Sequence, residues 1–189
     1  MKKLRILVLI ITVVTLATVM IGCNKVEVEA IAYDEAKVIV KDLMSKAKEI
    51  NRIHYGEGLA HFDIETQNSY IEIDPQEKYK SIDEIKAFTR SVLSQSYANE
   101  LIESTFEGRY SAGGGVVTKA RYIEYGEALL VLKDIEAYDN IYEYDLDTVS
   151  IKKTTAERIE ATITTIDGKI KNVVCVLESN GWRLDSTTY

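Results

Sequence analysis

Between residues 33 and 53 the apolar positions fall at Ala36, Val40, Leu43, Ala47 and Ile50, in steps of four, three, four and three. That spacing lays one apolar stripe along a helix. Asp34 and Glu35 near its start, with Lys46 and Lys48 towards its end, suit the helix dipole, and Gly56 and Gly58 end it. Two extended stretches follow, 59–66 and 70–74, with Gln67, Asn68 and Ser69 as the turn and Pro75 closing the second. Ser81-Ile82-Asp83-Glu84 is a capping box, in which the serine hydroxyl takes an orphan amide and the glutamate reaches back to the cap. The helix it opens buries Ile85, Phe88, Val92 and Leu93, and a further helix over 95–104 buries Tyr97, Leu101 and Ile102. Past Gly108 the period changes to two, with strands expected at 116–125, 128–137, 141–149, 156–166, 170–178 and 182–188. Asp167-Gly168 and Asn180-Gly181 read as type I′ hairpin turns, and Gly126 marks a third turn. Helices followed by a meander of strands predict an α+β fold, with the N-terminal helices packed on one face of a curved antiparallel sheet.

The first 22 residues stand apart. Lys2, Lys3 and Arg5 precede a run without charge from residue 6 to 21, which ends in Gly22-Cys23 and polar Asn24-Lys25. This is the layout of a cleaved signal peptide. An ordinary cleaved signal or an uncleaved membrane helix would share the charge and the run, but a cysteine placed directly after a small residue favours a third reading. Met20-Ile21-Gly22-Cys23 resembles a bacterial lipobox, with Met20 where that motif usually has Leu, Val or Ile. The resemblance implies a diacylglycerol on Cys23 and anchoring at the extracytoplasmic face of the cell membrane, since each buried methylene contributes ~0.8 kcal/mol. Residues 1–22 are then a lipoprotein signal peptide, 23–32 a lipidated tether and 33–189 a single domain.

Composition supports that division. The chain has 189 residues, 46% of them apolar, with one proline and two cysteines, which suits one domain with a real core and rules out a disulfide scaffold. Removing the three cations of the leader leaves 20 bases against 30 acids, a net charge of −10. That balance argues against nucleic acid as a partner and favours a cationic one.

Candidate chemistry is sparse. His54, Glu57 and His61 lack the spacing of a zinc-protease helix, and both imidazoles read as surface groups. Cys175 alternates with Val173 and Leu177, as a core thiol on a strand does. From Asp134 to Asp147 there are six acids, including Asp139, and no base; Glu143, Asp145 and Asp147 share one strand face, while Tyr142, Tyr144 and Leu146 share the other. Three carboxylates on one face admit a solvated surface, contact with a basic protein, or calcium, although the EF-hand spacing is missing. Gly113, Gly114 and Gly115 beside Tyr110 form a loop before a strand, suited to threading a narrow groove rather than to holding phosphate. No serine triad, nucleotide fingerprint or cofactor motif is present, so the chain reads as a non-enzyme without cofactor or metal.

Two family resemblances extend this reading. The order of elements, with a late strand Gly181-Trp182-Arg183-Leu184-Asp185, is similar to the cystatin-like cone shared with nuclear transport factor two-like proteins. Tyr70-Ile71-Glu72-Ile73 before the helix start at Ser81, the second helix over 94–102, and Glu107-Gly108-Arg109-Tyr110 before Gly113-Gly114 resemble elements of the bacterial cell-wall DL-endopeptidase inhibitor family. Ala112 stands where that family tends to have aspartate, and no tryptophan follows the glycines. The resemblance implies an inhibitor that occludes a basic cell-wall peptidase through Tyr110, Gly113, Gly114, Gly115, Asp139, Glu143, Asp145 and Asp147. The alternative is a cystatin-like domain binding a small ligand or wall fragment in a pocket lined by Tyr122, Tyr138 and Tyr142.

Overall fold

A computed structural model describes residues 29–110, 116–134, 137 and 141–188. The order of elements is α1 (Tyr33–His54), β1 (His61–Gln67), β2 (Tyr70–Ile73), α2 (Ile82–Val92), α3 (Gln95–Phe106), β3 (Arg109–Tyr110), β4 (Val116–Thr118), β5 (Tyr122–Tyr125), β6 (Ala128–Leu132), β7 (Tyr144–Thr154), β8 (Arg158–Thr165), β9 (Ile170–Glu178) and β10 (Gly181–Leu184). The fold is α+β, and the paired strands are antiparallel throughout. No helix among the described residues is long and apolar enough to cross a membrane. The segment that resembles a lipobox, with Cys23, lies outside the described residues.

The α1 stripe is buried along its whole length, and its inner face carries Ala36, Val40, Leu43, Met44, Ala47 and Ile50 onto Val149, Ile159, Ala161, Ile163, Val173, Cys175 and Leu184 of the β7–β10 sheet. Non-directional burial of this kind is the main stabilising term of the fold. A second cluster gathers Ile53, Leu59, Ile71, Ile73, Tyr79, Ile85, Tyr122, Leu129 and Val131 around the other sheet. Phe88 and Phe106 pack against both.

Where the period-two pattern reads as one curved sheet, the strands divide into sheets ordered β1-β2-β6-β5 and β10-β9-β8-β7, with β3 and β4 as a separate pair. The expected strand over 116–125 breaks in the middle. Its first part pairs with β3 and its second with β6. The bend between them is tied down by tertiary contacts: the Arg121 amide donates to the Thr105 carbonyl at 2.7 Å, and the Tyr70 hydroxyl donates to the Ala120 carbonyl at 2.6 Å.

The helix caps follow local chemistry in one case and tertiary contact in the other. At α2 the Glu84 amide donates to the Ser81 hydroxyl at 3.2 Å. The Glu84 carboxylate accepts the Lys80 amide at 2.6 Å, one residue before the cap. At α3, Ser94 makes no side-chain cap, and Glu178 of β9 accepts the Gln95 amide at 2.8 Å instead. The linker between α2 and α3 is also held by the Ser94 amide, which donates to the Leu184 carbonyl at 2.7 Å.

The hairpins differ from the type I′ expectation. At the β8–β9 and β9–β10 turns only Gly168 (φ +87°) and Gly181 (φ +109°) are left-handed. The Gly168 amide donates to the Thr165 carbonyl at 2.8 Å, and the Thr165 amide to the Lys169 carbonyl at 2.8 Å. This is a three-residue loop in which the glycine supplies the left-handed bulge residue. The turn with both central residues left-handed is the first one, at Asn68 (φ 43°) and Ser69 (φ 77°).

Candidate functional site

A cleft of about 690 Å³ opens between the C-terminal half of α1 and the chain leading into β7. Its size lies within the range of small-molecule sites. The core stripe turns one side of α1 inward, so Ser45, Lys48, Glu49 and Arg52, spaced three and four apart, form the outer wall. The opposing wall is Ile141, Tyr142, Glu143, Tyr144 and Leu146, and Ile166 from the β8–β9 turn overhangs it. The Ile166 amide donates to the Glu143 carbonyl at 2.8 Å, which fixes that overhang, and the Ile166 side chain is 71% exposed.

One end of the cleft is rigid. Arg52 forks onto Glu49 through two contacts of 2.9 Å and onto Glu77 at 2.7 and 3.3 Å, and donates to the Gly58 carbonyl at 3.3 Å. These bonds raise the guanidinium further above its ordinary range, and the Arg52 bond holds the Glu77 carboxyl below the usual carboxylate range. Asn51 is also locked: its amide donates to the Thr188 carbonyl at 2.5 Å, and the Thr188 hydroxyl donates to its side-chain oxygen at 2.6 Å.

The other wall carries aromatic rings. Tyr142 has the Lys171 ammonium 3.6 Å from its ring centroid and Lys169 at 5.2 Å. Tyr142 and Tyr144 are 6.4 Å apart at 59°, and burial pushes the Tyr144 hydroxyl up to about 12. At the mouth, the Lys48 ammonium lies 3.5 Å from the Glu143 carboxylate, with side chains 83% and 63% exposed. An exposed pair of this kind contributes about 0–1 kcal/mol.

The structure brings some of the sequence candidates together. Glu143, Asp145 and Asp147 are exposed on one face of the strand, while Tyr144 and Leu146 turn inward to pack on the core. Two of the three carboxylates face lysines of α1: Lys48 at Glu143, and Lys41 at Asp147 at 2.7 Å, which holds Asp147 below the ordinary carboxylate range. Asp145 accepts the Asp147 amide at 3.0 Å and makes no ion pair among the described residues. No group of three or more metal-ligating side chains gathers among the described residues. Tyr110 ends β3, paired with Val116. Gly113, Gly114, Gly115, Asp139 and Tyr138 lie outside the described residues.

Two expectations are corrected. His54 is a core residue rather than a surface one, 4% exposed. Its Nδ1 lies 2.8 Å from the Thr105 hydroxyl and its Nε2 2.9 Å from that of Thr89. Burial first, and the Arg121 charge second, lower its pKa to about 3. Its position four beyond Ile50 on the α1 stripe carried the signal. Tyr122 does not line this cleft: it is fully buried and its hydroxyl donates to the Ile53 carbonyl at 2.9 Å. His61 is exposed and Cys175 is buried, with burial pushing its thiol up to about 12.

Sequence reasoning missed Lys48, Arg52, Met44 and Ile166 as cleft residues. The polar face of α1 was visible in its spacing; the segment laid against it was not. A scan of the sequence against protein-family models finds no match, and a search of curated proteins finds no relative.

Proposed function

We propose that this chain is a lipid-anchored, extracytoplasmic binding protein, and that the cleft between α1 and the 141–146 segment is where it receives a small ligand. The observation that carries the reading is the cleft itself, of small-molecule size, in which Met44, Ile141, Leu146, Ile166 and two tyrosines give apolar surface beside the charged side chains of Lys48, Glu49, Arg52, Glu57 and Glu143. The groups best suited to catalysis serve the fold instead. Both His54 nitrogens are taken by threonines, and the Cys175 thiol sits in the core. The lay of α1 along β7–β10 supports a cystatin-like arrangement of this half of the fold.

A fluorescent amphiphile such as anilinonaphthalene sulfonate should bind the protein at one site, and Ile166→Asn, a neutral change at an exposed position, should weaken that binding at least tenfold without lowering Tm. Equal binding by the variant would refute the cleft as the site. For the anchor, Cys23→Ala should release protein into the medium or leave the leader uncleaved; unchanged processing and membrane retention would exclude lipidation.

The second reading, inhibition of a cell-wall DL-endopeptidase, draws on the exposed acidic edge. β7 ends its sheet and presents Asp145 outward without an ion pair among the described residues. Complementary charge at such an edge raises the rate of association with a basic partner. Adding the protein to such a peptidase should then slow wall hydrolysis, and no effect at micromolar concentration would rule this reading out.

A further inference from the structure

We infer that the cleft takes a short peptide of two or three residues with apolar side chains and both ends free. The inference rests on the cleft being the binding site and specifies its ligand. Opposite charges face each other across the mouth: Lys48 on α1 and Glu143 on the opposing wall, 3.5 Å apart and both largely in solvent. A pair so exposed is held weakly and separates easily. A ligand with one charge would give one member a new partner and leave the other without its old one. A zwitterion serves both, its carboxylate meeting Lys48 and its ammonium meeting Glu143.

The remaining walls fit the rest of such a peptide. Met44, Ile141, Tyr144, Leu146 and Ile166 offer apolar contact to side chains. Arg52 is not a competing anchor, because Glu49, Glu77 and the Gly58 carbonyl already occupy its donors. A sugar ring is a poorer fit, since Lys171 already stands over Tyr142 at 3.6 Å and occupies a face on which the ring would stack. A long acyl chain is poorer too, since Lys48, Glu49, Glu57 and Glu143 bring charge of both signs to the walls.

The test is calorimetric titration of the full chain in phospholipid nanodiscs with leucyl-phenylalanine, its N-acetyl form and its C-terminal amide. Free dipeptide should bind, and blocking either end should weaken binding tenfold or more. Glu143→Gln should abolish the preference for a free amine while keeping that for a free carboxylate, and Lys48→Gln should do the reverse. Both positions are exposed, so folding is not at stake. Equal binding of free and blocked dipeptides, or preferences unchanged in the variants, would overturn the inference. If the dipeptide fails while anilinonaphthalene sulfonate still binds in an Ile166-dependent way, the peptide assignment falls and the cleft stands. If neither binds, both fall.

Discussion

His54 joins three helices through one imidazole, bonding from the end of α1 to Thr89 of α2 and Thr105 of α3. The site favours the neutral ring, with a folded pKa of about 3 against an ordinary 6.5. Between those values the unfolded chain binds a proton that the native state does not. Stability therefore falls as pH drops below about 6.5, by at most about 1.4 kcal/mol per pH unit, and this loss levels off near the folded pKa. Denaturation midpoints measured from pH 7 to 5 should show this slope before carboxylates titrate, and His54→Gln should flatten it while lowering overall stability. Glu77 acts in the same direction at lower pH, since its depressed pKa means its contribution is lost as pH falls through the carboxylate range. Cys175 offers a second check at this scale. With its thiol buried and its pKa pushed up to about 12, a Cys23→Ala protein should react with a thiol reagent only as fast as it unfolds. Rapid labelling of the native state would contradict the burial.

At the scale of elements, glycine positions separate backbone strain from crowding. Gly108, between α3 and β3, has φ +68°, and a β-carbon there would lie 2.6 Å from the Thr118 carbonyl. Gly126 has φ +64° with nothing within 4 Å of that position. Gly126→Ala should cost about 1–2 kcal/mol, the left-handed penalty alone, and Gly108→Ala clearly more, because backbone must also move. Equal losses in urea denaturation would refute the close approach. Ser81→Ala should cost about 1 kcal/mol through the lost cap of α2. The hairpins show how far local reading reaches. Asp167-Gly168 and Asn180-Gly181 marked the turns correctly, but turn type depends on loop length and register, which the pairing of β8, β9 and β10 sets.

For the whole molecule, the two core clusters meet through α1, with Ile50 in one and Ile53 in the other, and through Phe88 and Phe106. The chain should therefore unfold in one transition. Ile159→Ala and Ile71→Ala, in different clusters, should each lower that same transition by about 2–5 kcal/mol. A second, separate transition in either variant, seen by calorimetry, would show that the two halves are independent. The candidate site belongs to this scale as well. Lys48 and Glu143 are 95 positions apart, and Lys41 and Asp147 are 106 apart. No window of sequence holds both walls of the cleft.

The amino-acid sequence alone determined what depends on neighbours a few residues away. It settled α1 and its buried face, the cap at Ser81, the inward turn of Tyr144 and Leu146 against the outward turn of Glu143, Asp145 and Asp147, and the places where the chain reverses, because periods of 3.6 and 2 and turn chemistry act locally. His54 is legible on the α1 stripe, four positions beyond Ile50, although its pairing with His61 in the sequence points to the surface. Only the tertiary structure decided the rest. Thr105 and Tyr70 hold the bend that sends β4 and β5 to different sheets, Glu178 caps a helix from a strand, and Ile141, Tyr142 and Glu143 lie across from Lys48 to make a cleft. These features rest on contacts between distant residues, whose geometry exists only once the packed core has brought them together.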